Sequence, residues 1–152
     1  LAAYSFKDCK ASIAGPAGNI QIGMGAGTAD EGITFERAED RNAILTGSDG
    51  SVMHSLHVAD HGTVRVRLLK TSTTNGLLMD MYKSQRRSSS TWGQNVISLQ
   101  DTVRGDKVKA TEVAFTGEPA LSYAKAGNVN EWTFAAGHIE GDLDKGVPPP
   151  II

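Results

Sequence analysis

The sequence predicts a mostly β protein: an antiparallel β-sandwich or barrel with one flanking α-helix at about residues 73–87. Three observations carry this. Short runs of alternating apolar and polar residues recur along the chain, separated by turn-forming pairs such as Asp49-Gly50. The period of two gives way to a helical period in one substantial stretch. The composition, 17 Gly and 6% aromatic residues in a chain of 152, suits many turns around a lean core. The length fits one domain, 1–152, with an extended tail over 145–152.

Taken in order, "KASIAG" (10–15) and "GNIQIG" (18–23) flank Pro16-Ala17 and read as a small hairpin. "GITFERAED" (32–40) alternates, with Ile33, Phe35 and Arg37 on one side and Thr34, Glu36 and Ala38 on the other. "NAILTGSDGSVMHSLHV" (42–58) is a second hairpin about Asp49-Gly50, because Gly tolerates the positive φ of a tight turn. "GTVRVRLLK" (62–70) is the clearest half-buried strand, with Val64, Val66 and Leu68 opposite Thr63, Arg65 and Arg67. "STTNGLLMDMYKSQRR" (72–87) then places Leu77, Leu78, Met81, Tyr82 and Gln85 on one helical side. Ser72 to Asn75 supply N-cap candidates, and Arg86 and Arg87 suit the C-terminal end of the dipole. Strands resume at "QNVISLQD" (94–101), "DKVKATEVAF" (106–115) and "NEWTFAAGHIE" (130–140). "KGVPPPII" lacks the amide donors for helix or inner strand and reads as an extended tail. A sheet of this kind has open edges, which neighbouring subunits can pair or cover.

The motifs of common enzyme chemistry are weak here. "GMGAGTADEG" (23–32) is rich in glycine, but a dinucleotide fingerprint needs a G-x-G-x-x-G spacing that opens a helix. Here β-ordered residues follow, and Asp30 and Glu31 repel phosphate, so the run reads as a mobile connection between strands. His54, His57 and His61 lie near Asp60, but His54 and His57 face opposite sides of a regular strand, which disfavours a metal site. There is no G-x-S-x-G elbow. Cys9, the single cysteine, has Asp8 beside it, which opposes a reactive thiolate. "KSQRRSSS" (83–90) is basic without interleaved aromatics and reads as a helix end or subunit contact. The formal charge of −2 gives no global basic excess of a DNA-coating protein. No apolar run nears the ~20 residues that span a bilayer, so no membrane anchor is expected. The opening residues lack the layout of a secretory signal.

One block is more specific. "AEDRNAILTGSDGSVMHSLHVADHGTVRVRLLKTSTTNGLLMDMY" (38–82) resembles the tail tube proteins of contractile-tailed bacteriophages. The matching pieces are Asp40 before a β arm, the "GSDGS" turn and "HGTVRVRLLKTSTTNGLL". "YSFKDCKASIAG" and "NEWTFAAGHIE" are also similar to the family, so the likeness covers nearly the whole chain. His61 and the "PPPII" ending are departures.

The resemblance implies a β-barrel or sandwich with a flanking helix, assembled in homo-hexameric rings. The rings stack into a tube inside a contractile sheath, DNA passes along the lumen without specific binding, and the tube is driven through the host envelope. The implied partners are other copies of the chain, the sheath, the tail terminator and the baseplate. The implied location is the virion, after assembly in the host bacterial cytoplasm, with no enzyme activity and no cofactor. Three alternatives stay open: the tube of a phage-tail-like bacteriocin or secretion system, a monomeric β-sandwich that binds a small molecule or glycan through Trp92, Trp132 and Tyr123, and, last, an enzyme whose site follows none of these motifs.

Within the tube reading, particular residues take expected roles. Ile44, Leu45, Val52 and Met53, with Ser48, Asp49 and Gly50 at the turn, are expected to pack on a neighbouring subunit or ring, because a projecting hairpin has no core beneath it. Asp30 and Glu31 are expected to meet basic residues of the next subunit. A conduit for DNA must not hold phosphates, so Arg65 and Arg67 are expected to pair with Glu36 or Glu112 across strands. Which sheet face lines the lumen stays open.

Overall fold

A computed structural model describes residues 3–16, 18–25 and 27–143, with the side chains at 28–31 outside that description. The expected tail over 145–152 also lies outside the described residues.

Among the described residues, nine strands and one α-helix make up the fold. The strands are β1 (Cys9–Gly15), β2 (Gly18–Gln21), β3 (Thr28–Arg37), β4 (Asn42–Thr46), β5 (Val52–Leu56), β6 (Gly62–Leu69), β7 (Asn95–Asp101), β8 (Lys107–Phe115) and β9 (Val129–Asp142). The helix α1 (Thr74–Gln85) lies between β6 and β7. Seven strands form one antiparallel sheet in the order β2-β1-β7-β8-β9-β6-β3. Among the described residues the remaining two, β4 and β5, pair only with each other. The class is therefore the expected one, mostly β and antiparallel with one helix. The large sheet is not closed into a barrel among the described residues: β2 and β3 are its free edges.

The period-two pattern decides which face is covered. Val64, Val66 and Leu68 of β6 are fully buried, while Arg65 and Arg67 between them are half-exposed. One contiguous cluster joins these valines to Ile13 of β1, Ile97 of β7, Val113 and Phe115 of β8, Trp132 and Phe134 of β9, and Leu78 and Met81 of α1. The helix thus covers one face of the sheet. Aromatic rings fill the middle of this layer: Phe115 packs on Phe134 at 4.9 Å and on Tyr82 at 5.6 Å between centroids, in the tilted geometries aromatic rings prefer. Trp132 is buried and donates its indole N–H to Asn75 Oδ1 at 3.0 Å, which fixes the first turn of α1 onto β9.

The alternation breaks once on both β8 and β9. Ala110 and Val113 are both buried, as are Ala136 and Ile139, so each strand shifts its covered side by one residue. The β7–β8 register shifts at the same place, between Asn95 and Ile97 on the β7 side, and Glu112 takes a φ of 52°. This is a β-bulge, which bends the sheet. Gly137 lies beside it, where an added Cβ would come within 2.9 Å of Glu112 Cβ.

The helix differs from expectation in one residue of its covered side. Leu78, Met81 and Gln85 are buried, but Leu77 is 53% exposed. A helical stripe at 78, 81 and 85 already fills the contact with the sheet, and Leu77 lies about 100° away from Leu78 around the axis. The N-cap position is Thr73, whose side chain makes no capping hydrogen bond; the Ser72 hydroxyl, one residue earlier, accepts from the Thr74 amide at 3.2 Å.

Candidate functional site

Two surfaces stand apart from the core: the β4–β5 hairpin and the sheet face that α1 leaves uncovered.

The hairpin is shaped by its turn. The Gly47 amide donates to the Ser51 carbonyl at 2.7 Å, and Gly50 adopts a φ of 88°. Asp49 accepts from the Ser51 hydroxyl at 2.6 Å and from its amide at 3.0 Å, so the carboxyl is held below its usual range and stays ionised. The register pairs Ile44 with His54, Leu45 with Met53 and Thr46 with Val52. Leu45, Met53, Ala43 and Ser55 therefore share one face, and Ile44, Val52, Leu56 and His54 the other. Both faces carry large apolar side chains, and all of them are open: Ile44 is 60% exposed, Leu45 64% and Met53 55%. A two-stranded hairpin with no core beneath it is marginal in water by itself.

Polar groups tether its base. The His57 amide donates to the Arg41 carbonyl at 2.8 Å, and Arg41 donates to the Ala59 carbonyl at 3.2 Å and forms an ion pair with Asp60. Arg37 approaches the same carboxylate at 3.6 Å and His138 at 4.0 Å. The Arg41 hydrogen bond holds the Asp60 carboxyl below the usual carboxylate range. Asp60 thus supplies the carboxylate for both arginines.

The uncovered sheet face is a field of cross-strand charge pairs. Arg65 of β6 meets Glu36 of β3 at 2.5 Å and Glu131 of β9 at 3.8 Å. Arg67 meets Glu131 at 3.1 Å and donates to the Thr34 hydroxyl at 3.0 Å. Farther along, the register sets Lys107 opposite Asp142 and Lys109 opposite Glu140. Cations and acids on neighbouring strands at these separations favour one another. Glu112 takes no part in the arginine network: the bulge turns it away, and its Oε2 lies 3.5 Å from His138 Nε2. Glu131, which the sequence reading missed, stands in its place. Its alternation with Trp132 marked it as facing outward, and the β6–β9 pairing that brings it to the arginines is visible only in three dimensions.

Other candidates fall elsewhere. The glycine run is only partly a connection. Gly23 to Gly25 turn the chain, but β3 has already begun at Thr28, with a register shift between Thr28 and Ile33. Asp30 and Glu31 lie in that irregular part of β3, and their side chains are outside the described ones. His54 bonds to Asn42 and His57 to the Asp40 carbonyl, and among the described residues no group of three or more His, Cys, Asp or Glu side chains is placed to hold a metal. Trp132 is core, Trp92 packs on Tyr82, and Tyr123 stacks under Lys70, so the three rings proposed for a ligand platform are each engaged separately. Burial pushes the Cys9 thiol pKa up, against the hydrogen bond with Tyr4. No helix among the described residues is long and apolar enough to cross a membrane.

Solved structures share this architecture. A chain of the sheath–tube complex of an extracellular contractile injection system (PVC, extended state) matches with a TM-score of 0.52 and 9% identity, over 88% of both chains. A chain of the sheath/tube terminator of the same type of system matches at 0.55 and 12%, over 94% of this chain and 99% of that one. A chain of the anti-feeding prophage cap, which terminates its tube, matches at 0.52 and 8%, over 94% of both. At these identities the likeness is one of fold. No curated protein matches significantly. The family model of the bacteriophage PhiTE tail tube protein matches residues 1–144. A chain with these charge-paired and apolar surfaces, matched over nearly its whole length, belongs to the phage tail tube family, and its role is that of a structural tube subunit.

Proposed function

We propose that copies of this chain close into hexameric rings, that the rings stack into a hollow tube, and that the uncovered sheet face lines the lumen through which DNA passes. The observation that carries the reading is the pairing of Arg65 and Arg67 with Glu36 and Glu131 on a face that α1 leaves uncovered among the described residues. Each phosphate held by a free cation would retard a moving polyanion, and paired cations offer little hold. The open edges β2 and β3 supply the means of closure, because edge strands present unpaired backbone groups to a neighbour. Contact between two different surfaces, repeated by rotation, gives a ring.

The hairpin, apolar on both faces, serves in this reading as a contact with neighbouring copies. The α1 side faces outward, toward the sheath, and the tube ends meet the terminator and the baseplate. The assembled tube is part of the virion, built in the host bacterial cytoplasm and driven through the envelope when the sheath contracts. The fold shared with injection-system chains favours a second reading, in which the same subunit contacts build the tube of a phage-tail-like bacteriocin or secretion system.

Electron microscopy of the concentrated protein tests the assembly. Six-fold rings or tubes are the expected result, and a strictly monomeric particle at high concentration overturns it. The cargo recovered from native particles, DNA or protein, decides between the two readings.

A further inference from the structure

We infer that the Leu45–Met53 knob of the hairpin docks in the groove between β2 and α1 of a second copy in the same ring. The inference rests on the ring assembly proposed above and adds the acceptor surface.

The groove is about 330 Å³ in volume, and Ile20 of β2 and Leu77 and Met81 of α1 provide its apolar lining. Leu77 is a large apolar side chain left 53% exposed in the middle of a helix that packs its other side well. The knob is a directly opposed cross-strand pair, Leu45 against Met53, on the hairpin face not interrupted by His54 and Asn42. Its two side chains are of a size to fill such a groove, and Met adapts to irregular shapes.

Position in the fold argues for a second copy as occupant. The hairpin is the connection between β3 and β6, at one end of the sheet, and the groove borders β2, the opposite edge. With knob and groove at opposite ends of the sheet, the contact joins unlike surfaces of successive copies, which a closed ring requires. The same contact brings the free β3 end of one copy toward the free β2 edge of the next.

Charge agrees. The hairpin tip carries the acidic Asp49. The C-terminal end of α1, at the Ser84 end of the groove, carries the exposed Lys83, Arg86 and Arg87, which line a hollow of their own. In the docked arrangement the acidic tip of one copy meets this basic end of the next. Asp80 also borders the groove and has Lys83 three residues on as its neighbour on the helix surface.

The test is cross-linking in assembled tubes. A chain carrying Met53→Cys and Leu77→Cys, with Cys9→Ala to remove the native thiol, is expected to give a ladder of disulfide-linked multimers on mild oxidation. A chain carrying Met53→Cys and Leu121→Cys, with the second cysteine at an exposed site away from the groove, is expected to give none. Asp49→Lys is expected to raise the protein concentration needed for assembly by about tenfold, the effect of one lost contact of ordinary strength, and Arg87→Asp in the same chain to restore it. Tubes that form without the Met53–Leu77 ladder, or with the Met53–Leu121 ladder instead, overturn the groove and leave the tube reading standing. Wild-type protein that never assembles overturns both.

Discussion

Gln85 and Asn95 exchange two hydrogen bonds in the buried layer between α1 and the sheet. Gln85 Nε2 donates to Asn95 Oδ1 at 2.6 Å, and Asn95 Nδ2 donates to Gln85 Oε1 at 2.8 Å. Both residues are fully enclosed, so the pair joins the last turn of the helix to the start of β7 with each amide answering the other. Asn95→Ala leaves the Gln85 amide buried without this partner, and the expected loss of stability is about 1–3 kcal/mol by denaturant unfolding. Gly15 lies against the same pair, and a Cβ there would sit 2.2 Å from Asn95 Oδ1. Gly15→Ala is expected to lower the melting temperature by displacing the pair.

Gly62 begins β6 under a tighter constraint. A Cβ at this position would meet the Glu36 carbonyl oxygen at 2.1 Å and Ile139 Cδ1 at 2.7 Å. Backbone cannot swing aside as a side chain can, so Gly62→Ala should separate β3 from β6. An overpacking cost of about 1–3 kcal/mol is expected, read as a lower denaturant midpoint.

If the uncovered face lines the lumen as proposed, its arginine network predicts how strongly assembled tubes retain DNA. Glu36→Gln with Glu131→Gln removes the carboxylates facing Arg65 and Arg67 while preserving shape. Each arginine freed to bind a phosphate should steepen the fall of log affinity with log salt by about 0.7–0.9. Salt-dependent DNA retention by assembled tubes measures this, and unchanged retention would place the lumen on another surface.

The hairpin base should loosen in acid. The folded-state pKa of Asp60 lies below its unfolded value because Arg41 bonds the carboxylate. The stabilisation is therefore complete above the ordinary carboxylate range and is lost as pH falls through the depressed value. Amide exchange over residues 42–56 is expected to accelerate across that acidic window relative to β6. Asp60→Asn should show the fast exchange already at neutral pH, with the core strands unaffected.

Most of the architecture was legible before folding, for identifiable reasons. Alternation in 62–70 and 32–40 fixes which side chains face the core, because successive residues on a strand point oppositely. The Asp49-Gly50 turn sets the hairpin register, and the change to a helical period marks α1 to within about two residues at each end. Leu77 was misplaced because periodicity finds the apolar side of a helix without stating how much of it the sheet covers. The glycine run was read wholly as a connection because local spacing does not reveal that residues from Thr28 onward find a ladder partner in β6.

What the sequence by itself determined is what depends on neighbours along the chain: strand faces, turns, the helix, the lack of the motifs of common catalysis, and a resemblance spread over nearly the whole length. What only the tertiary structure decided depends on strands meeting across long separations. The order β2-β1-β7-β8-β9-β6-β3 brings Glu131 to Arg65 and Arg67, while the bulge at Glu112 turns that residue toward His138. It also leaves the hairpin at one end of the sheet and the α1 groove at the other. A pattern of alternation states which way a side chain points; the partner it meets is set by sheet order and register, and these are properties of the assembled fold.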